Sequence, residues 1–532
     1  MKNDFTSTSI FDNSPILIGD CTVPGIPVPK EIEEIIPLIF QTVTNLGCTF
    51  YDTQIEWMAF DGISEVAAYD GFPNRYPHYR FGMAFEELSK GYEFGLRRIF
   101  EMVINNNPCV IYCLNSNSFT DNVTVIGHAL GHNDFFKNNV FFKPTNTKMI
   151  NEFGNNRTRI MKYMARWGDE RVEAFIDDCL AIETLVDPAK AWHRKEVEEP
   201  ILFDHREYEY PRRIEVPDGH DYMEEWLNPK EWVEREKAAI RRREVKDYLG
   251  IVEMADKDIM GFLRDHAPLK PWEQDILSLL YDEAMYFQPQ RMTKMLNEGW
   301  ASYIDFNVMA RIGMPGCSIW NYADHKSQVL GGVNSQNPYK LGFELLLDIE
   351  ERWNKGRFGR DYEQCRDMHQ KEKWDKQLGL GSQKVFEVRE QYNDVTVLAE
   401  YFTEEFCKKH NYFNWSKFPS PEFGVESEYK IVDRDWRKCR DHLIQRYING
   451  GLPYIKLVDD NGKGKNIMVI EHDWDGRPLV PKYTKETLRS LSRLWRNPVA
   501  LLTKDKDGRD QVFYSKPDSP VQELKRGDYQ LL

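Results

Sequence analysis

Two histidines four residues apart, His128 and His132, lie in the run Gly127-His128-Ala129-Leu130-Gly131-His132-Asn133-Asp134-Phe135-Phe136. On a helix, residues i and i+4 stand one above the other. Both imidazoles therefore share a face and can grip one metal ion. The small residues Gly127, Ala129 and Gly131 let a second helix approach closely. Zinc peptidases place a Glu directly after the first histidine as general base. Here that position holds Ala129. The chain keeps a metal-ligand pair and lacks the usual base. The competing assignment is a pair of core histidines bonded to nearby carbonyls.

A third ligand is expected at Glu298. The stretch Asn297-Glu298-Gly299-Trp300-Ala301-Ser302 resembles the later helix that supplies the third ligand of thermolysin-like zinc peptidases. The separation from His132 is far longer here than in those enzymes. Two His and one carboxylate leave an open position for water, which is the catalytic form of a zinc site. Zinc is the favoured divalent metal, and the same donors suit iron or manganese. The alternative for Glu298 is an ion pair, with Arg291 as the nearest candidate in sequence.

With Ala129 at the base position, another group must move the proton. Glu183 is the first candidate, on a helix expected over 168–187. Its apolar neighbours Ile182, Leu185 and Val186 would raise its pKa toward working pH. His78, in Tyr76-Pro77-His78-Tyr79-Arg80, is the second, as base, donor or further ligand. Asp134 falls on another helical face and could orient a neighbouring helix or a ligand. Gln54 and Glu56 alternate on an expected strand and point the same way. Gly379-Leu380-Gly381-Ser382 lacks the Lys and the preceding strand of a phosphate loop, so it is expected to be a turn.

The chain also resembles the stage V sporulation protein R (SpoVR) family. GHALGHNDFFKNN and NEGWASY carry the resemblance. So do YPHYRFG, INNNPC, RVEAFIDDCL, NPYKLGFELLLDIEERW and YNDVT, in consistent order over nearly the whole chain. The family has no established reaction. Its link to spore cortex formation implies peptidoglycan or its precursors as substrate for a metal-dependent, zincin-like hydrolase. Its members are often encoded beside a PrkA-type serine kinase and a von Willebrand A-like protein. That implies the alternative: a non-enzymatic scaffold or regulator in a sporulation or stress-response complex.

Bulk properties narrow the classes. Net charge is −15, with acids spread along the chain, which argues against a general nucleic-acid binder. No apolar stretch is long enough to span a bilayer. The first residues lack a basic region and a sustained apolar core, so no secretion signal is expected. Nine Cys, an odd count with no CxxC pair, fit a reduced cytoplasm, with Cys109 and Cys113 as core residues.

The expected fold class is α+β: a large, mainly helical core with a smaller C-terminal α+β domain. Residues 1–29 form a loose arm. Residues 30–395 form the helical core, with a charged surface insertion over 188–250. A long helix is expected over 83–106. From 396 to 532 the texture turns to short strands and helices in a ββ-α-ββ-α-ββ order, the C-terminal module.

Overall fold

The structure, a computed structural model, describes residues 17–18, 30–93, 101–192, 256–313, 316–331, 337–418, 428–461 and 466–524. The expected arm over 1–29, apart from 17–18, lies outside these residues, as does the expected insertion over 188–250 beyond Trp192. The fold class is α+β with a mainly helical core. The chain divides into two compact units. One joins Met1–Arg166 to Tyr286–Gly451, and the other joins Trp167–Met285 to Leu452–Leu532.

The first unit holds a four-stranded sheet in the order β1-β2-β4-β3, formed by Leu17–Ile18, Thr53–Met58, Cys109–Leu114 and Glu101–Ile104 in that spatial order. β1, β2 and β4 are parallel, and β3 runs antiparallel to β4. Every residue of β4 is buried, as an unbroken apolar run predicts for a strand covered on both faces. The helix expected over 83–106 is shorter. It spans Tyr79–Glu93, and Glu101–Ile104 is strand instead. Met102, Val103 and Ile104 pair with Tyr112, Ile111 and Val110. Sheet pairing at an apolar edge overrides the helical periodicity there.

The histidine helix, Phe119–Asn138, is buried at every position from Asn122 to Phe136. Ser118 caps it in a reciprocal box with Asp121, whose side chain accepts from the Ser118 N–H. Thr120 and Asp121, which by residue type could also cap a helix start, lie inside the helix. Helix Lys294–Arg311 lies against the histidine helix and, on its other side, against helix Pro338–Lys355. Glycines set these approaches. A Cβ on Gly131 would lie 2.8 Å from the Ala301 Cα, and one on Gly127 would touch Val308. Around this trio the core gathers Ile39, Trp57, Leu130, Trp300, Leu346 and Tyr401, all at most 1% exposed.

The boundary expected at residue 396 moves. Leu398, Phe402 and Phe406 belong to the core of the first unit. The β5–β6 ribbon, Asn414–Phe418 with Glu428–Asp433, also lies in that unit, as does the helix Trp436–Tyr447. The reason is apolar burial: the helices Asp394–Tyr401 and Glu404–His410 spend their hydrophobic faces on the helical core.

The second unit carries a five-stranded sheet ordered β11-β10-β9-β8-β7. β7 is Ile455–Asp459, β8 Met468–His472, β9 Val499–Lys504, β10 Asp510–Ser515 and β11 Gln522–Leu524. β8 and β9 are parallel and the other pairs antiparallel. Helix Pro481–Trp495 crosses between β8 and β9, a helical crossover of the kind parallel neighbours need. This helix packs on Asp169–Leu180, where Arg493 pairs with the buried Asp178.

Candidate metal centre

His128 and His132 extend from one face of the buried histidine helix toward Glu298 on the facing helix. Glu298 Oε2 lies 3.6 Å from His128 Nε2 and 3.4 Å from His132 Nε2. The three ligand atoms all fall within 4.8 Å of one another. Ligand–ligand edges in four-coordinate zinc are about 3.3–3.5 Å, given bonds of about 2.0–2.1 Å to nitrogen and oxygen. Both Glu298 distances sit at or near that edge length.

The outer nitrogens are held as well. His128 Nδ1 is 2.8 Å from Asp305 Oδ2, and His132 Nδ1 is 3.0 Å from Asn297 Oδ1. Both partners are acceptors, so each Nδ1 carries its proton and donates. In neutral rings this leaves the two Nε2 lone pairs aimed at a carboxylate oxygen. Glu298 Oε2 is buried and makes no hydrogen bond. Three electron-rich atoms facing one another without a donor is an unfavourable arrangement unless a cation lies among them. Burial works to raise the Glu298 carboxyl; imidazoles that carry a proton and charge at Nε2 would outweigh it and hold the carboxyl well below the usual carboxylate range, and a cation in the same place would act in the same direction.

Asp305 is itself tied down. Lys326 Nζ lies 2.7 and 2.6 Å from its two oxygens, and Tyr322 OH donates to Oδ1 at 2.9 Å. At the other end of its helix, Asp394 accepts from the backbone N–H groups of Met295 and Leu296 at 2.9 and 2.8 Å. It thereby satisfies two of the free donors at the start of the helix that carries Asn297, Glu298 and Asp305.

The structure brings together His128, His132 and Glu298 among the expected site residues. Arg291 is not the partner of Glu298; its side chain lies against Gly450. Among the described residues the cluster of possible ligands contains neither His78 nor Glu183. His78 is buried just before the helix Tyr79–Glu93, packed on Tyr79 and Phe81, with Nδ1 accepting from the Arg80 N–H. Glu183 stands in turns beyond the helix Asp169–Leu180, which ends seven residues earlier than expected, and belongs to the second unit. Asp134 serves the fold. Its carboxylate accepts from the Thr49 N–H at 2.8 Å and pairs with Arg389 at 3.2 Å. Burial pushes it up to about 6 against the pull of Arg389 and Thr49. Gln54 and Glu56 do share a face, and Gln54 donates to Glu56 at 2.8 Å. Cys109 and Cys113 are fully buried and form no disulfide.

Asn297, Asp305, Tyr322 and Lys326 escape the sequence reading. Asp305 had a signal: it stands seven residues after Glu298, two turns on and on the same helical face. Tyr322 and Lys326 lie on a separate helix, Gly316–Val329, and nothing in their spacing links them to the histidines.

A mainly helical α+β protein with a buried His-His-carboxylate cluster on two facing helices is the class these features define. The chain belongs to the SpoVR family. The model for SpoVR like protein matches residues 28–452, and that for the SpoVR-like C-terminal domain matches 453–506. The uncharacterized protein YcgB of Escherichia coli (strain K12) is 24% identical over 504 residues, covering 88% of this chain and 90% of that one. No solved structure matches the chain. Among the described residues no helix is long and apolar enough to cross a membrane.

Proposed function

We propose that His128, His132 and Glu298 hold one divalent cation, zinc before iron or manganese, and that the protein is a metal-dependent hydrolase. The convergence of two Nε2 lone pairs on the buried Glu298 oxygen carries this reading. A cation bound there supplies Lewis acidity and lowers the pKa of water in the position that three protein ligands leave open. Asp305 and Asn297 fix the rings so that Nε2 is the ligating atom in both. His78, which lies in the same unit as the cluster, is the candidate for the proton acceptor. The family's link to spore cortex favours peptidoglycan precursors as substrate. The test begins with protein purified without chelator. Elemental analysis should find a single bound equivalent, lost in the His132→Ala and Glu298→Gln variants. Wild-type protein that neither carries nor takes up zinc, iron or manganese would end the reading. Hydrolysis of muropeptide precursors by the loaded protein, abolished by Glu298→Gln, then tests the reaction.

One observation favours a second reading. Ala129, where the zinc peptidases carry their base, is fully buried in the apolar core. A metal centre with no proton acceptor would be structural. The protein would then act as a scaffold or regulator beside a PrkA-type kinase and a von Willebrand A-like partner. Metal-loaded protein that is inert on precursors but is retained by the kinase in a pull-down would favour this reading.

A further inference from the structure

The helix Gly316–Val329 reaches the His-His-Glu cluster through the Asp305 carboxylate. Asp305 is 1% exposed and is shared by His128 Nδ1, Tyr322 OH and Lys326 Nζ. The Lys326 side chain is itself only 12% exposed and lies 5.5 Å from the Phe343 ring centre. Burying such a pair gains little for the fold, because an apolar pair of similar size would stabilise it as well or better. What the pair does achieve is positional. A carboxylate held on both oxygens by Lys326, and on one by Tyr322, cannot swing away from His128. It keeps the ring turned with Nδ1–H outward and Nε2 toward Glu298. His132 has no such brace, since its outer partner is the neutral amide of Asn297.

We propose that Lys326 and Tyr322 are positioning residues of the metal site, acting through Asp305 to hold His128 in its ligating orientation. This rests on the reading of the cluster as a metal centre. His128 is then the firmly held ligand and His132 the looser one. Residues on a helix that supplies no ligand set how tightly the metal binds.

The test is a titration of the full chain with zinc, and with cobalt(II) as a spectroscopic stand-in, against a competing chelator. Losing a partner of this kind costs about 10–100-fold in metal affinity. Asp305→Asn should weaken zinc within that range, and Lys326→Met by about tenfold. The double variant should bind no more weakly than Asp305→Asn alone, because both changes break one route. His325→Ala is the control. His325 lies on the same helix and faces Asp121, 3.4 Å away, so its loss loosens the helix without touching Asp305. It should leave zinc affinity and the cobalt spectrum unchanged. Should Lys326→Met fail to fold, Tyr322→Phe carries the test, with an expected weakening of about threefold for one hydrogen bond. Unchanged affinity in both variants overturns the proposal, as does an additive double variant or a His325→Ala that mimics Lys326→Met. Wild-type protein that binds no metal refutes the metal centre itself, a separable result.

Discussion

Gly299 and Gly342 stand so close that neither can carry a side chain. A Cβ on Gly299 would lie 2.6 Å from the Gly342 Cα, and one on Gly342 would lie 2.9 Å from the Gly299 Cα. Gly299 directly follows Glu298, the proposed ligand, so this contact sets where Glu298 stands relative to the helix Pro338–Lys355. Gly342→Ala should destabilise the protein by about 1–3 kcal/mol, the usual cost of overpacking, and weaken metal binding with it. Chemical denaturation and a zinc titration measure the two effects. A variant normal in both would mean the helices can part without cost.

Ala129 offers a direct check on the missing base. Its 0% exposure means that a carboxylate placed there enters the core instead of the space among His128, His132 and Glu298. Ala129→Glu should therefore unfold the protein or lower its stability by several kcal/mol, since an unpaired buried charge costs about that much. Near-normal thermal stability in Ala129→Glu would show that this face can reach water after all.

Asp394 should give the protein a measurable pH dependence. Burial pushes its carboxyl up to about 7, and nearby Glu298 adds to the rise, against the N–H bonds from Met295 and Leu296. A carboxyl that is harder to ionise in the folded state than in the unfolded chain favours folding while it is protonated. That contribution is complete below the unfolded value, about 3.9, and is lost as pH rises toward 7. Asp394→Asn removes the titrating group. Urea unfolding from pH 4 to 7 should show wild type losing more stability than the variant, and parallel curves would disprove the assignment.

In the second unit, Arg493 places Nε at 3.0 and 2.8 Å from the two oxygens of the buried Asp178. Arg493→Met should cost about 1–3 kcal/mol by stranding that carboxylate. Arg477→Met, at the exposed pair with Asp475, should stay within about 1 kcal/mol. The same pairing predicts that residues 452–532 expressed alone fold poorly, and that co-expression with 167–285 rescues them. A fragment starting at 396 would expose Leu398, Phe402 and Phe406 and should be insoluble. Limited proteolysis and solubility decide between these outcomes.

The His-His-Glu convergence was legible because each part obeys a local rule: i,i+4 spacing for the histidines and a ligand-like context for Glu298. Helical structure was legible at the histidines, which do share one helix, Phe119–Asn138. Reading failed where the deciding partner is remote. Glu101–Ile104 became strand because β4 waited beside it. The helix Asp394–Tyr401 joined the helical core because its apolar face fits there. Tyr322 and Lys326 matter through Asp305, a contact that only the folded chain creates.

His132 and its outer partner Asn297 lie 165 residues apart in sequence, and Met295 and its helix-start acceptor Asp394 another 99. During synthesis the histidines therefore emerge long before Glu298, and the residue that anchors the Glu298 helix emerges later still. A growing or truncated chain ending before residue 394 has two histidines on a helix and no finished site. If the proposed metal centre forms, its loading is a late event, tied to completion of the first unit, and a bound ion would mark chains that have finished folding.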